Sequence, residues 1–196
     1  MEVNGYKIEP GANLAKADLG GAKLRGAKLR GATLNGATLA GANLAKADLT
    51  NAYFWNADLT NADLAGAKMP SASLNMADMT DADLTGANLS GASLLESDLT
   101  GADLTGANLT KADLSNAYLN NAVLTGANLT GANLSGAGLT NANLTNANLT
   151  GARMLGSFLT DADFTDAVML GALMPNGTIH GSPEWIKTEL WKKEKN

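Results

Sequence analysis

Gly86-Ala-Asn-Leu-Ser90, Gly101-Ala-Asp-Leu-Thr105 and Gly106-Ala-Asn-Leu-Thr110 are copies of one five-residue unit. The unit runs from Ala12 to Met174 without a phase break. Ala or Ser falls at every fifth position from 12 to 172, and Leu, Met or Phe at every fifth position from 14 to 174. An α-helix turns about 100° per residue, so a step of five rotates a side chain by ~140° net. Successive Leu residues would spread around the cylinder and leave no apolar stripe. Gly, frequent in the units, costs ~1 kcal/mol against Ala in a helix interior. A helix is excluded. A plain strand fails as well, because a two-residue period cannot hold phase over five.

Within the unit, Ala-x-Leu keeps the two-residue spacing, so Ala and Leu share a face and the middle residue points away. The last two residues, most often Thr or Ser then Gly or Asn, carry turn chemistry and accept positive φ. The unit reads as a very short strand followed by a corner. A repeat whose units cannot bury their own apolar face forms a solenoid. Corners near 90° would close a square coil of about 20 residues, with coils stacked at the sheet spacing of ~4.8 Å. The repeats amount to about eight coils and a rod of about 40 Å. The expected fold is all-β.

The pattern A-(D/N)-L-x-x resembles the pentapeptide-repeat protein family over Ala12 to Met174. The resemblance implies a right-handed quadrilateral β-helix with Leu and Ala inside. It also implies a non-enzymatic interaction or scaffold module. The family's quinolone-resistance members supply the alternative, a DNA mimic that occupies a type II topoisomerase such as DNA gyrase. The basic first end of this chain departs from their uniformly negative surface. The uninterrupted repeat also resembles members of unassigned role in photosynthetic bacteria.

Net charge is −5 and the pI about 4.8, which speaks against direct nucleic-acid binding. There is no Cys, hence no disulfide framework. No apolar run is long enough for a membrane-spanning helix, and Met1-Glu-Val-Asn-Gly-Tyr6 lacks a basic n-region and an apolar h-region. A cytoplasmic location is expected. His180 is the single His and lies after the repeats. No catalytic, metal or phosphate-binding constellation is recognisable, and no cofactor is expected.

Three segments follow: an N-terminal cap at 1–11, the β-helix at 12–175, and a connection with a capping helix at 176–196. In the first, Asn4-Gly5 is a turn signal between apolar residues. In the last, Ser182 is a good N-cap, Pro183 suits the first helical turn, and Glu184 complements the dipole.

Counting in twenties assigns the outward residues to columns. Asp58, Asp78 and Asp98 fall in one, and Asp63, Asp83 and Asp103 in the next; together they are a candidate acidic interaction face. Lys28, Asp48 and Lys68 form a column expected to be a salt-bridged ladder. Asn88, Asn108, Asn128 and Asn148 form one expected to hydrogen-bond through stacked amides. Tyr53 and Trp55 are a candidate aromatic contact. Phe158, Leu170, Leu173, Trp185, Ile186, Leu190 and Trp191 are candidate cap or dimer contacts, since an open β-helix end must be covered. The expected partner is another protein, with a homodimer through the C-terminal end as one possibility.

Overall fold

The computed structural model describes residues 1–181. The chain opens with an antiparallel hairpin of Glu2–Val3 (β1) and Tyr6–Lys7 (β2). Its turn residues, Asn4 and Gly5, have φ of 49° and 79°, the double positive φ of a two-residue hairpin loop. Val3 and Tyr6 pack against the core and Ile8 is buried in it. The Asp18 N–H donates to the Tyr6 hydroxyl at 3.4 Å, and Asn4 Nδ2 to the Asp18 carbonyl at 3.3 Å. The hairpin is thereby tied to the first coil.

Beyond the hairpin, each face of the solenoid contributes a single bridging residue rather than an extended strand. The middle residue of each unit pairs in parallel with the residue 20 later: Asn13 with Thr33, Asp18 with Thr38, Lys23 with Asn43, Lys28 with Asp48. Four such columns run along the molecule, each with eight or nine residues. Each face nevertheless makes several rungs. Thr33 N–H donates to the Ala12 carbonyl at 2.9 Å, Leu14 N–H to Thr33 at 2.7 Å, and Gly36 N–H to Trp55 at 2.8 Å.

The corners are β-turns. Ala17 N–H donates to the Leu14 carbonyl at 3.0 Å, and of the two central residues only the second, Lys16, has positive φ, at 58°. That is the type II arrangement. The same position is positive at every corner from Gly11 to Gly171. Gly and Asn suit it, but Lys46, Met76, Glu96 and Lys111 adopt it too. The ladder therefore imposes the turn on residues that disfavour it, at a cost of roughly 1 kcal/mol each.

The Ala and Leu slots form one continuous core, buried along almost its whole length. Phe54, Met69, Met79 and Met154 occupy Leu slots without exposure. Ser97 and Ser157 occupy Ala slots. Each donates its hydroxyl at 2.8 Å to the carbonyl three residues back, on Leu94 and Met154, so neither buries an unsatisfied polar atom.

The far end differs. Leu159, Ala162, Phe164, Ala167, Met169 and Met174 are only partly buried. After Met174 the turn Pro175-Asn176-Gly177 sends the chain back. Met174 N–H donates to Thr178 at 2.7 Å and His180 N–H to Ala172 at 2.8 Å. Ile179 thus becomes the antiparallel partner of Leu173 and ends that parallel column. Leu173, expected on the open outside, is instead half-buried between Arg153 and Ile179. The helix expected from Ser182 lies outside the described residues.

Candidate interaction surfaces

The middle slot of each unit decides what the surface presents. The bridges place Asp58, Asp78 and Asp98 in one column and Asp63, Asp83 and Asp103 in the next. Every one of these carboxylates also does a local job. Its Oδ1 accepts the N–H two residues on, at 2.8–3.1 Å, from Thr60, Ala65, Thr80, Thr85, Thr100 and Thr105. This is the Asx turn, which steadies the entry to the corner. Asn does the same work elsewhere: Asn108 and Asn148 accept from Thr110 and Thr150 at 3.1 and 3.0 Å. The corner needs only the side-chain oxygen that Asp and Asn share.

Where the slot lacks Asp or Asn, the acceptor can come from the preceding coil. Tyr53, Ser93 and Gly138 cannot make the Asx bond. The N–H groups of Trp55, Leu95 and Thr140 are taken by Asn35, Asn75 and Asn120, at 2.9, 3.2 and 3.2 Å. Each of these Asn residues stands 20 positions before its donor. The sequence reading missed this substitution, although the fixed offset would have revealed it.

Two expected ladders are corrected. Lys28, Asp48 and Lys68 do share a column, but the ion pair that reaches Asp48 comes from Arg30 at 3.9 Å. Burial is the largest influence on Asp48 and opposes its charge. The Thr50 hydroxyl and N–H, with Arg30 and Lys28, outweigh it and hold the carboxyl below its ordinary value. Asp163 is held low as well, first by the Thr165 hydroxyl, then by the Thr165 N–H, against slight burial and with help from Thr145. In the Asn column, only Asn108 and Asn88 join amide to amide, at 3.3 Å. The other amide oxygens turn to their own corners, because a bond two residues away competes with one across the stack.

Tyr53 and Trp55 are both about half exposed, on either side of the buried Phe54. Phe158, Val168, Leu170 and Ile179 are each exposed near the C-terminal end, with Phe158 and Val168 on opposite faces. Trp185, Ile186, Leu190 and Trp191 lie outside the described residues. His180 takes part in the terminal return through its backbone. Among the described residues, no cluster of His, Asp or Glu is arranged to hold a metal ion.

A second aromatic feature escaped the sequence reading. Tyr118, Gly138 and Phe158 are successive members of one column. Both rings are exposed, at 54 % and 65 %. They flank a trough of about 410 Å³ whose lining includes Gly138, Asn120 and Thr140. Counting in twenties from Tyr118 would have found it.

Models of known families match the chain as pentapeptide repeats, in 8 copies spread over residues 12–51, 39–75, 47–86, 77–116, 107–146 and 142–176. Among solved structures it is 34 % identical to HetL, a pentapeptide repeat protein involved in heterocyst differentiation regulation from the cyanobacterium Nostoc sp. strain PCC 7120. That match covers 89 % of this chain and 94 % of HetL, with a TM-score of 0.42. It is 49 % identical to Rfr23 from the cyanobacterium Cyanothece 51142, over 44 % of this chain and 58 % of Rfr23, with a TM-score of 0.44. A trypsin-treated form of QnrB1, a plasmid-mediated fluoroquinolone resistance protein, is 20 % identical. It covers 95 % of this chain and 85 % of QnrB1 at a TM-score of 0.64, a likeness of fold. Comparison with curated protein sequences gives no match.

Proposed function

Because this chain belongs to the pentapeptide repeat family and has its right-handed quadrilateral β-helix, we propose that it is a rigid, non-enzymatic protein-interaction module. Its working surface is the acidic face of Asp58, Asp78, Asp98, Asp63, Asp83 and Asp103. The single observation that carries this reading is the redundancy of charge in the middle slot. Asn closes the same Asx turn as Asp, so the fold does not require six carboxylates in two adjacent columns. Stacked like charges about 4.8 Å apart repel one another. Apart from Asp63, whose Oδ2 also accepts from Asn43 Nδ2 at 2.8 Å, these carboxylates bear that cost with no return that Asn would not give, and such a surface is suited to attract and orient a basic partner.

The rod would comprise about eight coils and extend about 40 Å, long enough to present a face rather than a point. A bacterial cytoplasmic setting accords with the acidic, Cys-free composition. Tyr53 with Trp55 would form a separate aromatic contact, and residues 1–11 a cap over the first coil. Near the C-terminal end, Phe158 and Leu170, with residues 182–196, would cover the last coil or join two copies.

The test is capture of binding proteins by the wild-type chain and by a variant with all six Asp changed to Asn. The reading expects partners that depend on the carboxylates and are displaced by salt. A DNA gyrase supercoiling assay with the same two proteins asks whether a type II topoisomerase is that partner. Capture of the same proteins by both forms would rule out the acidic face.

A further inference from the structure

The trough between Tyr118 and Phe158 has a built shape. Two steps of the stack separate the two residues, so their rings project from levels about 9.5 Å apart. The residue between them is Gly138, the one glycine in a middle slot. Its φ is not in the positive range, so the backbone does not call for glycine there. A Cβ at 138 would come within 3.2 Å of Asn120 Oδ1. The missing side chain thus leaves one open level between two rings. The Asn120 carbonyl, which accepts one bond from Thr140, retains a second lone pair.

The surroundings indicate the charge of the occupant. The next residue in the column below Tyr118 is Asp98, followed by Asp78 and Asp58. Glu96 stands at the corner beside Asp98. Among the described residues, the basic ones closest along the stack are Lys111, at the corner before the preceding face, and Arg153, on that face. A positive charge centred in the gap would lie about 4.8 Å from each ring level, inside the ~6 Å reach of a cation–π contact. Its neighbours along the same chain would meet the carboxylates, since an extended peptide advances about 3.4 Å per residue and covers the interval from Gly138 to Asp98 in about three.

We infer that the Tyr118–Gly138–Phe158 trough is the specificity pocket of the acidic face: it receives one arginine side chain of an extended basic polypeptide, whose further basic residues run over Asp98 and Asp78. This rests on the interaction reading above and names the chemistry of the partner. The guanidinium stacks between the rings and turns an N–H toward the Asn120 carbonyl.

The experiment measures fluorescence anisotropy of a labelled, alternating arginine–serine peptide. Its citrulline counterpart keeps the shape and loses the charge. Tyr118→Ala and Phe158→Ala are each expected to weaken the arginine peptide by about two- to fivefold. Gly138→Asn fills the open level with the residue common at other middle slots and is expected to do at least as much. The citrulline peptide is expected not to bind. Thermal melts check that each variant remains folded, which their exposed positions favour. If the six-Asn variant loses the peptide while the three trough variants keep it, the trough inference is overturned and the acidic-face reading stands. Equal binding of the citrulline peptide, or no binding of the arginine peptide to wild type, would overturn it as well. Capture of partners that depends on the six carboxylates would still uphold the module.

Discussion

At the residue scale the repeat makes two demands, and both can be tested by substitution. The first is positive φ at the second central corner residue. Met76 meets it with an exposed, unbranched side chain. Met76→Gly removes the left-handed penalty but adds freedom to the unfolded chain, for a net gain of about 0.5 kcal/mol. Denaturant titration would show it as a raised midpoint. Glycines differ among themselves for a reason the repeat pattern hides. A Cβ at Gly86 meets nothing, whereas one at Gly101 runs into the Asp81 carboxylate of the coil below. Gly101→Ala is therefore expected to cost more than Gly86→Ala; equal losses in the same titration would contradict this. The second demand is the dry core. Leu104→Lys puts a charge into a fully buried column, where it has no partner. Thermal denaturation should show a collapse of stability, and an unchanged melting temperature would contradict the fold. Ser97→Ala should be neutral to within about 0.5 kcal/mol, because the Leu94 carbonyl keeps its bond from the residue 97 N–H.

Elements here are corners, columns and two terminal devices. Much of the corner-and-column scheme could be read from the chain alone. The five-residue period forces Ala and Leu inward, and counting in twenties assigns Asp58, Asp78 and Asp98 to one column, as the bridges do. Rotamers could not be read that way. Column arithmetic pairs Asp48 with Lys28, yet Arg30 makes the ion pair, being longer and placed to reach across the corner. Asn120 bonding Thr140 and the trough beside it obey the same step of twenty and were legible, but are passed over when Tyr118 is read as an isolated exposed residue. The return of Ile179 onto Leu173 was illegible because it depends on a turn after the repeat, where periodicity no longer constrains the chain. The hairpin at the start gives its own prediction. Ile8 is buried against the first coil, so Ile8→Ala should cost about 2–4 kcal/mol and lower the melting temperature. At the other end, removal of residues 182–196 is expected to reduce solubility or change the mass in solution, since Phe158 and Leu170 are exposed there. A soluble truncated chain of unchanged association state would remove both the cap and the dimer reading.

For the whole molecule, charge is the adjustable quantity. Asp48 and Asp163 have carboxyls held below the ordinary value of 3.8. A depressed folded value means that their stabilisation is present above 3.8 and is lost as pH falls through the folded value. Melting temperature should therefore decline on acidification below about pH 4. Asp163→Asn should flatten that decline, since the amide keeps an oxygen for the Thr165 N–H but does not titrate. The acidic face acts in the opposite direction. Changing its six Asp to Asn relieves repulsion, so the variant should melt higher than wild type at low salt, with the gap closing as salt screens the surface. That variant also supplies the most direct test of the central claim, that this face recruits a basic partner. The measurement is quantitative capture from the native extract by wild-type and six-Asn chains, both shown to be folded. The account predicts a set of basic proteins bound by wild type and lost from the variant. An identical set on both would show that the carboxylates are no more than corner-formers and that the working surface lies elsewhere.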